Sequence, residues 1–467
     1  MNEKTLIVSD FSNTESNNKM ATDVVYGYYA GNGLKQKYGI SKLYFSKHKD
    51  NGSLKEYNID LSSYDITGAG LSSFYQYLSR ADETVYHLVV YGADKKIYLH
   101  EIYDQACPPL WMHNLTFENP PISLQFKKDG EDAIIMSDGE KMICWKTYYS
   151  PYEIQNTPKI TSMCMNENTL FCTIKHPAYK VWYTFNLDAA EVGSAYRDTG
   201  YISLEDDLGY STKVVALKQD VFVFREYGIS KITRLQNEFK VTQIYNANTK
   251  IINNSVSVCD GCIVFLTKDG FYVFNGSSVK KLNLNIKKYL GGKNDLVVSA
   301  SLGKLYYCAL NLNQTDDSSQ EMKNNSLVVL DTDSGEYQII KNVDVLALQP
   351  IKAGATEKMV MLDRRFPSVL AEVEEGYTVL NSTPFRYWSS KKFYGNSTGM
   401  VITDIQINGD CNAKITLHYD ENTKILDASK SKNFKMHLSC KCFSLEVQDN
   451  SQTDSSIDNI AINYYEN

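Results

Sequence analysis

Two close pairs of cysteines, Cys259-Asp-Gly-Cys262 and Cys440-Lys-Cys442, come nearest in this chain to the spacing of metal ligands. A structural zinc needs four such ligands brought to one point. The two pairs fall in segments of different rhythm, and Cys262 opens an apolar run. The stretch CKCFSLEV (440–447) alternates as a single strand would, placing both thiols of that pair on one face. The expectation is two unrelated pairs and no metal.

The other residue types capable of chemistry are scattered. The seven histidines (His48, His87, His100, His113, His176, His418 and His437) form no HExxH, HxH or tight cluster. His87 and His418 sit inside alternating strands, where packing or surface roles are expected. Glu205-Asp206-Asp207 and Glu372, Glu374 and Glu375 are acidic enough for glycosidase chemistry, which needs two carboxylates held face to face. Sequence alone does not pair them, and they read as solvated loop acids. Gly291-Gly292-Lys293 lacks the frame of a phosphate-binding loop, and Asp316-Asp317 lacks that of a calcium loop. The residues therefore assign no catalytic, cofactor-binding or metal-ligating position, no cofactor, and no enzymatic activity.

Bulk properties narrow the classes further. The 467 residues carry a net charge of −7 with no basic run, which argues against sequence-specific nucleic-acid binding. A mildly acidic surface would still let DNA pass without sticking. The N-terminal MNEKTLIVSDFSNTESNN has no apolar core of signal-peptide length, and no run of 18 apolar residues occurs. The expectation is a soluble chain made in a cytoplasm, with no membrane partner. Ten cysteines are too few for a disulfide scaffold at this length; Cys164, Cys172 and Cys308 lie in apolar runs and read as buried free thiols. The 34 tyrosines suit short strands with one wet end.

The elements that would position these residues repeat. Strand-turn-strand units recur every 40–50 residues or so, the period of a β-propeller blade. Turn centres between the two middle strands fall at Asn51-Gly52, near Ala93-Asp94, at Asp138-Gly139, near Pro177, at Gly228, at Gly270, near Ser318 and across Arg364–Pro367. Ahead of most hairpins lies another alternating segment, such as LSSFYQYLS, ITSMCMN or NSVSVC, expected as the inner strand lining a central channel. The chain is thus expected to be all-β. Residues 1–24 read as a flexible arm, 25–380 as a seven- or eight-bladed propeller, and 381–467 as a small C-terminal antiparallel β-sandwich. One terminal blade would be completed by strands from both ends, leaving no open edge.

Three stretches resemble bacteriophage tail propeller proteins. They are YGYYAGNGLKQKYGISKLYF (26–45), the pair LGYSTKVVALKQDVFVFREYGISKI (208–232) and NNSVSVCDGCIVFLTKDGFYVFNGSSVKKL (253–282), and the C-terminal PFRYWSSKKF, ITLHYD, FKMHLSCKCFSLEVQDN and SIDNIAINYY. The class includes the tail nozzles, or packaged-DNA stabilisation proteins, of short-tailed phages. The resemblance is one of pattern, covers nearly the whole chain and brings no catalytic residues with it. It implies a structural virion protein of the tail, made in the bacterial host cytoplasm. Such a subunit would sit in a ring of its own copies, a homo-hexamer, contact portal, adaptor or other tail proteins, and border a path for passive DNA passage. An alternative keeps the same fold: a carbohydrate-binding or glycan-cleaving propeller whose Tyr-rich loops stack on sugars. A WD-repeat type of scaffold ranks behind both, because the Gly-His and Trp-Asp signatures are missing.

Overall fold

Alternation of apolar and polar residues over short runs, punctuated by glycine and asparagine turns, builds antiparallel sheets here, most of them four-stranded. The computed structural model describes residues 3–9, 11, 22–31, 33–48, 52–59, 61, 70–78, 82–92, 94–104, 110–128, 130–146, 151–185, 199–204, 206–235, 238–282, 284, 286, 290, 294–313, 322–380, 384–451 and 453–466. Among them the single helical element is a 3-10 turn, Asn253–Ser255. Among the described residues no helix is long and apolar enough to cross a membrane.

Seven blades form a closed ring. We letter the strands of each blade a to d from the axis outward. Blades 1 to 6 begin with inner strands Leu71–Leu78, Ile122–Lys128, Ile160–Asn166, Ser211–Leu217, Ser257–Cys259 and Val298–Leu302, and each continues b, c, d in chain order. Blade 7 has Val345–Ala353, Thr356–Asp363 and Leu370–Glu375, and its outermost strand comes from the other end of the chain, Tyr38–Lys42. Each inner strand touches the next, and that of blade 7 touches that of blade 1, which closes the circle.

The turn at Asn51-Gly52 does not centre a blade. Its strands, Phe45–His48 and Leu54–Tyr57, pair only with each other. Phe45, Ile59 and Leu61 are buried in the cluster between blades 7 and 1. The segment just before this hairpin is consumed in completing blade 7, so neither an inner nor an outer strand is left for an eighth blade.

Polar side chains lace the inner ring. Ser72 Oγ hydrogen-bonds Ser123 Oγ between blades 1 and 2. Ser162 Oγ accepts from Val214 N at 3.1 Å between blades 3 and 4. Ser257 Oγ and Ser299 Oγ lie 2.8 Å apart between blades 5 and 6. Small hydroxyls let inner strands approach closely while satisfying their own polarity. Between the blades the packing is apolar and aromatic, as at Phe222–Phe274, edge to face with centroids 4.9 Å apart.

The sandwich follows Pro384. One sheet runs Lys4–Val8, Asn459–Glu466, Met400–Asn408, Asn433–Cys440; the other runs Thr22–Tyr26, Arg386–Ser390, Cys442–Asp449, Lys414–Tyr419, Asn422–Asp427. The expected flexible arm over residues 1–24 is therefore corrected. Lys4–Val8 pairs in register with Ile460–Tyr464, and Leu6 and Val8 are buried in the core. Five residues alternating around two apolar anchors were enough to make a strand. CKCFSLEV is corrected too: the chain crosses from one sheet to the other at Lys441. The inward positions shift parity there, from Leu438 and Cys440 to Phe443 and Leu445.

Candidate functional site

The junction of propeller and sandwich is the most elaborately built part of the molecule. Outer strand Tyr337–Lys341 of blade 6 does not end its sheet. Tyr29–Gly31, Gly33–Lys35 and then Ser456–Ile457 extend it into seven strands, so one continuous sheet runs from the propeller to the C-terminal segment. Gly27 makes the entry possible. Its φ is +69°, and a Cβ there would meet Phe385 O at 2.2 Å. Its N–H donates to Ile339 O at 2.7 Å. One apolar cluster joins Val264, Tyr306 and Leu330 of blades 5 and 6 to Trp388, Ile405 and Ile462 of the sandwich.

A buried polar chain crosses the same junction. Arg386 and Asp449, both fully buried, form an ion pair at 3.1 Å. Arg386 also donates to Ser451 O and Oγ at 2.6 Å each, Thr453 O at 3.1 Å and Gln36 Oε1 at 3.1 Å. Gln36 Nε2 donates to Tyr38 O at 3.1 Å, and Gln338 Nε2 donates to the same oxygen at 2.6 Å. Gln338 Oε1 accepts from the N–H groups of Lys37 and Tyr38 at 3.0 Å. Sandwich, blade 6 and the completing strand of blade 7 thus share one hydrogen-bonded chain. Desolvation pushes the Asp449 carboxyl up, but bonds from Ser455, Ser451 and the Arg386 charge outweigh it and hold it below the ordinary value.

The second built region lies on the face carrying the b–c turns and the d–a connections. Polar residues at the end of strand b staple the incoming connection: Asp138 accepts from Glu118 N at 2.8 Å, and Asp363 from Asp344 N at 3.1 Å. In blade 4 a fully buried arginine does this. Arg225 donates to Gly209 O from Nε at 2.9 Å and from Nη2 at 2.6 Å, and pairs with Asp206 at 2.5 Å. Leu208 N adds a bond to Asp206 at 2.9 Å, and Tyr210 N one to Glu226 at 3.2 Å.

Around these stapled loops Tyr179, Tyr201, Tyr210 and Tyr227 stand exposed. Backbone bonds tie their carriers together: Leu204 N to Tyr179 O at 2.8 Å, Ser211 N to Ala178 O at 2.7 Å, Glu226 N to Tyr210 O at 3.0 Å and Tyr227 N to Leu208 O at 2.9 Å. Lys180 Nζ lies 5.7 Å from the Tyr179 ring centre and 5.9 Å from that of Tyr201.

The residues singled out from sequence are not gathered into one centre. Cys259 and Cys262 face each other in register across a hairpin turned by Gly261 at φ +76°. A hydrogen bond between the thiols raises Cys259 and lowers Cys262. No group of three or more His, Cys, Asp or Glu residues able to hold a metal occurs among the described residues. Cys440 is buried in one sheet of the sandwich, and Cys442 opens a strand of the other. Cys164, Cys172 and Cys308 are buried free thiols.

The acids Glu372, Glu374 and Glu375 are corrected from loop to strand, all lying on strand c of blade 7. Glu372 is buried and paired with Lys358 at 2.6 Å; desolvation raises its carboxyl despite that partner. Asp206 and Asp207 sit in the stapled connection, whereas Glu205, Gly291-Gly292-Lys293 and Asp316-Asp317 lie outside the described residues.

His418 meets Glu446 at 3.2 Å on the sandwich, His48 Nδ1 lies 3.3 Å from Gly52 O, and His437 neighbours Tyr465. His100 and His113 sit on strands c and d of blade 1, and His176 lines a depression of about 450 Å³ with Pro158, Lys159 and Lys175.

His87 is buried in blade 1, stacked on Phe74 at 6.0 Å, with Gln76 Nε2 3.1 Å from its Nε2. Burial pulls its pKa down from 6.5 to about 4. Between those values the unfolded chain binds the proton that the folded one refuses. Stability is therefore fully present above 6.5 and falls as pH drops toward 4, by roughly 3 kcal/mol from this residue. His87→Phe is expected to flatten that limb of a denaturation-midpoint profile. An unchanged slope would show that the imidazole is not the group responsible.

No protein-family model matches the chain, and no curated protein matches it. Among solved structures it is similar to BBS1N in complex with ARL6DN, at 11% identity and TM-score 0.43, covering 66% of this chain and 94% of that one. It is also similar to the N-terminal domain of Nup159, at 10% and 0.40, covering 73% and 96%. A third is the Neurospora crassa Pan2 WD40 domain, at 9% and 0.40, covering 72% and 95%.

Proposed function

We propose that this protein is a structural subunit of a phage tail, one of several copies in a ring that borders the DNA path and contacts portal, adaptor or other tail proteins. The observation that supports this most is the seven-stranded sheet joining blade 6 to the sandwich, backed by the buried Arg386 chain. A part built this way moves as one body. That suits a component that must pass load between neighbours, since isolated domains on a linker would swing.

Its own mechanism is mechanical and electrostatic. A closed scaffold keeps its shape under force, and a net charge of −7 lets DNA slide by without adhesion. Symmetric rings form when one patch of each copy meets a different patch of the next and the rotation closes.

Electron microscopy and light scattering of the purified chain, alone and mixed with portal and adaptor proteins, test this. Closed rings of several copies are expected, with six the first number to look for. Monomers under every condition would remove the proposal.

A further inference from the structure

We propose that the connection face of blades 3 and 4 is a saccharide-binding platform, with Tyr179, Tyr201, Tyr210 and Tyr227 as stacking surfaces and Asp207 and Glu226 as acceptors for sugar hydroxyls. This goes beyond the ring proposal and does not depend on it. All the exposed large apolar residues described on this part of the face are tyrosines. A pyranose has one face of C–H groups and a rim of hydroxyls. A phenol ring flanked by carboxylates is complementary to both.

The loops are fixed before any ligand arrives. Arg225, buried to 1% exposure, holds Asp206 and Gly209 and so sets the position of Tyr210. Glu226 is aligned from two sides, by Tyr210 N at 3.2 Å and Lys250 Nζ at 2.6 Å, and those bonds hold its carboxyl below the ordinary range. Ordering that costs nothing on binding raises affinity.

Two other occupants fit less well. Nucleic acid would need cations for its phosphates, yet Arg225 and Lys250 are already paired with Asp206 and Glu226. A protein partner would be expected to meet aliphatic anchors at the centre of its contact, and no exposed aliphatic side chain is described among these tyrosines.

The full-length protein should be applied to an array of bacterial O-antigen and capsular oligosaccharides, and the strongest saccharide titrated by calorimetry. Binding is expected, weakened about tenfold or more by Tyr210→Ala with Tyr227→Ala, and kept within about threefold by Tyr210→Phe, which retains the ring. Melting temperatures matching the parent show that these variants are folded. The proposal is overturned if no saccharide binds, if binding survives replacement of all four tyrosines by alanine, or if that replacement instead changes the number of associated copies. Sugar binding and particle mass are separate readouts, so this platform can fail while the ring stands, and the reverse.

Discussion

Replacing Arg386 by alanine is expected to destabilise the protein by about 3–5 kcal/mol, a large share of the stability of an ordinary domain. The deletion strands Asp449 in the core without its cation and removes the donor that reaches Ser451, Thr453 and Gln36. Because Gln36 carries the chain on to Tyr38, the loss should register in blade 7 as well as in the sandwich. Denaturant unfolding followed by tryptophan fluorescence measures it, with Trp388 as a buried local reporter. Replacing both charges, Arg386→Met with Asp449→Leu, should recover most of the loss, since an apolar pair of similar volume needs no partner. A change below about 1 kcal/mol in the single variant would mean that the pair does not hold the junction.

Ile40→Asp should be at least as damaging. Ile40 lies in the middle of the strand that completes blade 7, pairs with Val373, and is 1% exposed within the cluster shared by blades 6 and 7. Losing the side chain alone costs about 2–5 kcal/mol, and an unpaired carboxylate in its place adds a further desolvation penalty. Once that strand is displaced, Leu370–Glu375 becomes an open edge able to pair with other chains. Aggregation at temperatures where the parent is soluble is the expected result. Ile40→Val should be mild, about 0.5–1.5 kcal/mol. Should Ile40→Asp melt like the parent, closure by this strand would not matter to stability.

The propeller was readable from sequence because its signal is repeated. Asp138-Gly139, Gly228 and Gly270 each flank a middle hairpin, and LSSFYQYLS and ITSMCMN each supply an inner strand. A turn motif alone does not carry that information. Asn51-Gly52 has the strongest local hairpin signal, yet its strands stay outside the ring because Tyr38–Lys42 is taken by blade 7. Strand patterning records which face of a strand is buried and is silent about which edge it will join.

The junction was hidden for the same reason. Tyr29–Gly31, Gly33–Lys35 and Ser456–Ile457 are two or three residues long, too short for a period, and apart from the pairing of the first two with each other their partners lie hundreds of positions away. One clue was present: the parity of inward residues slips at Lys441, where the chain changes sheet. The tyrosine platform was visible only as composition. Its four residues come from three separate loops and one outer strand, brought together by bonds such as Ser211 N to Ala178 O.

Closing blade 7 with a strand from the start of the chain also sets a timetable for biosynthesis. Tyr38–Lys42 leaves the ribosome long before Leu370–Glu375 exists, and Lys4–Val8 waits for Asn459–Glu466, translated later still. Blades 1 to 6 can condense as they emerge, each from neighbouring residues, while both early strands remain without a mate until those distant segments emerge. Nascent chains stalled anywhere short of residue 375 should therefore be protease-sensitive around residues 38–42, and release of the finished polypeptide should abolish that sensitivity.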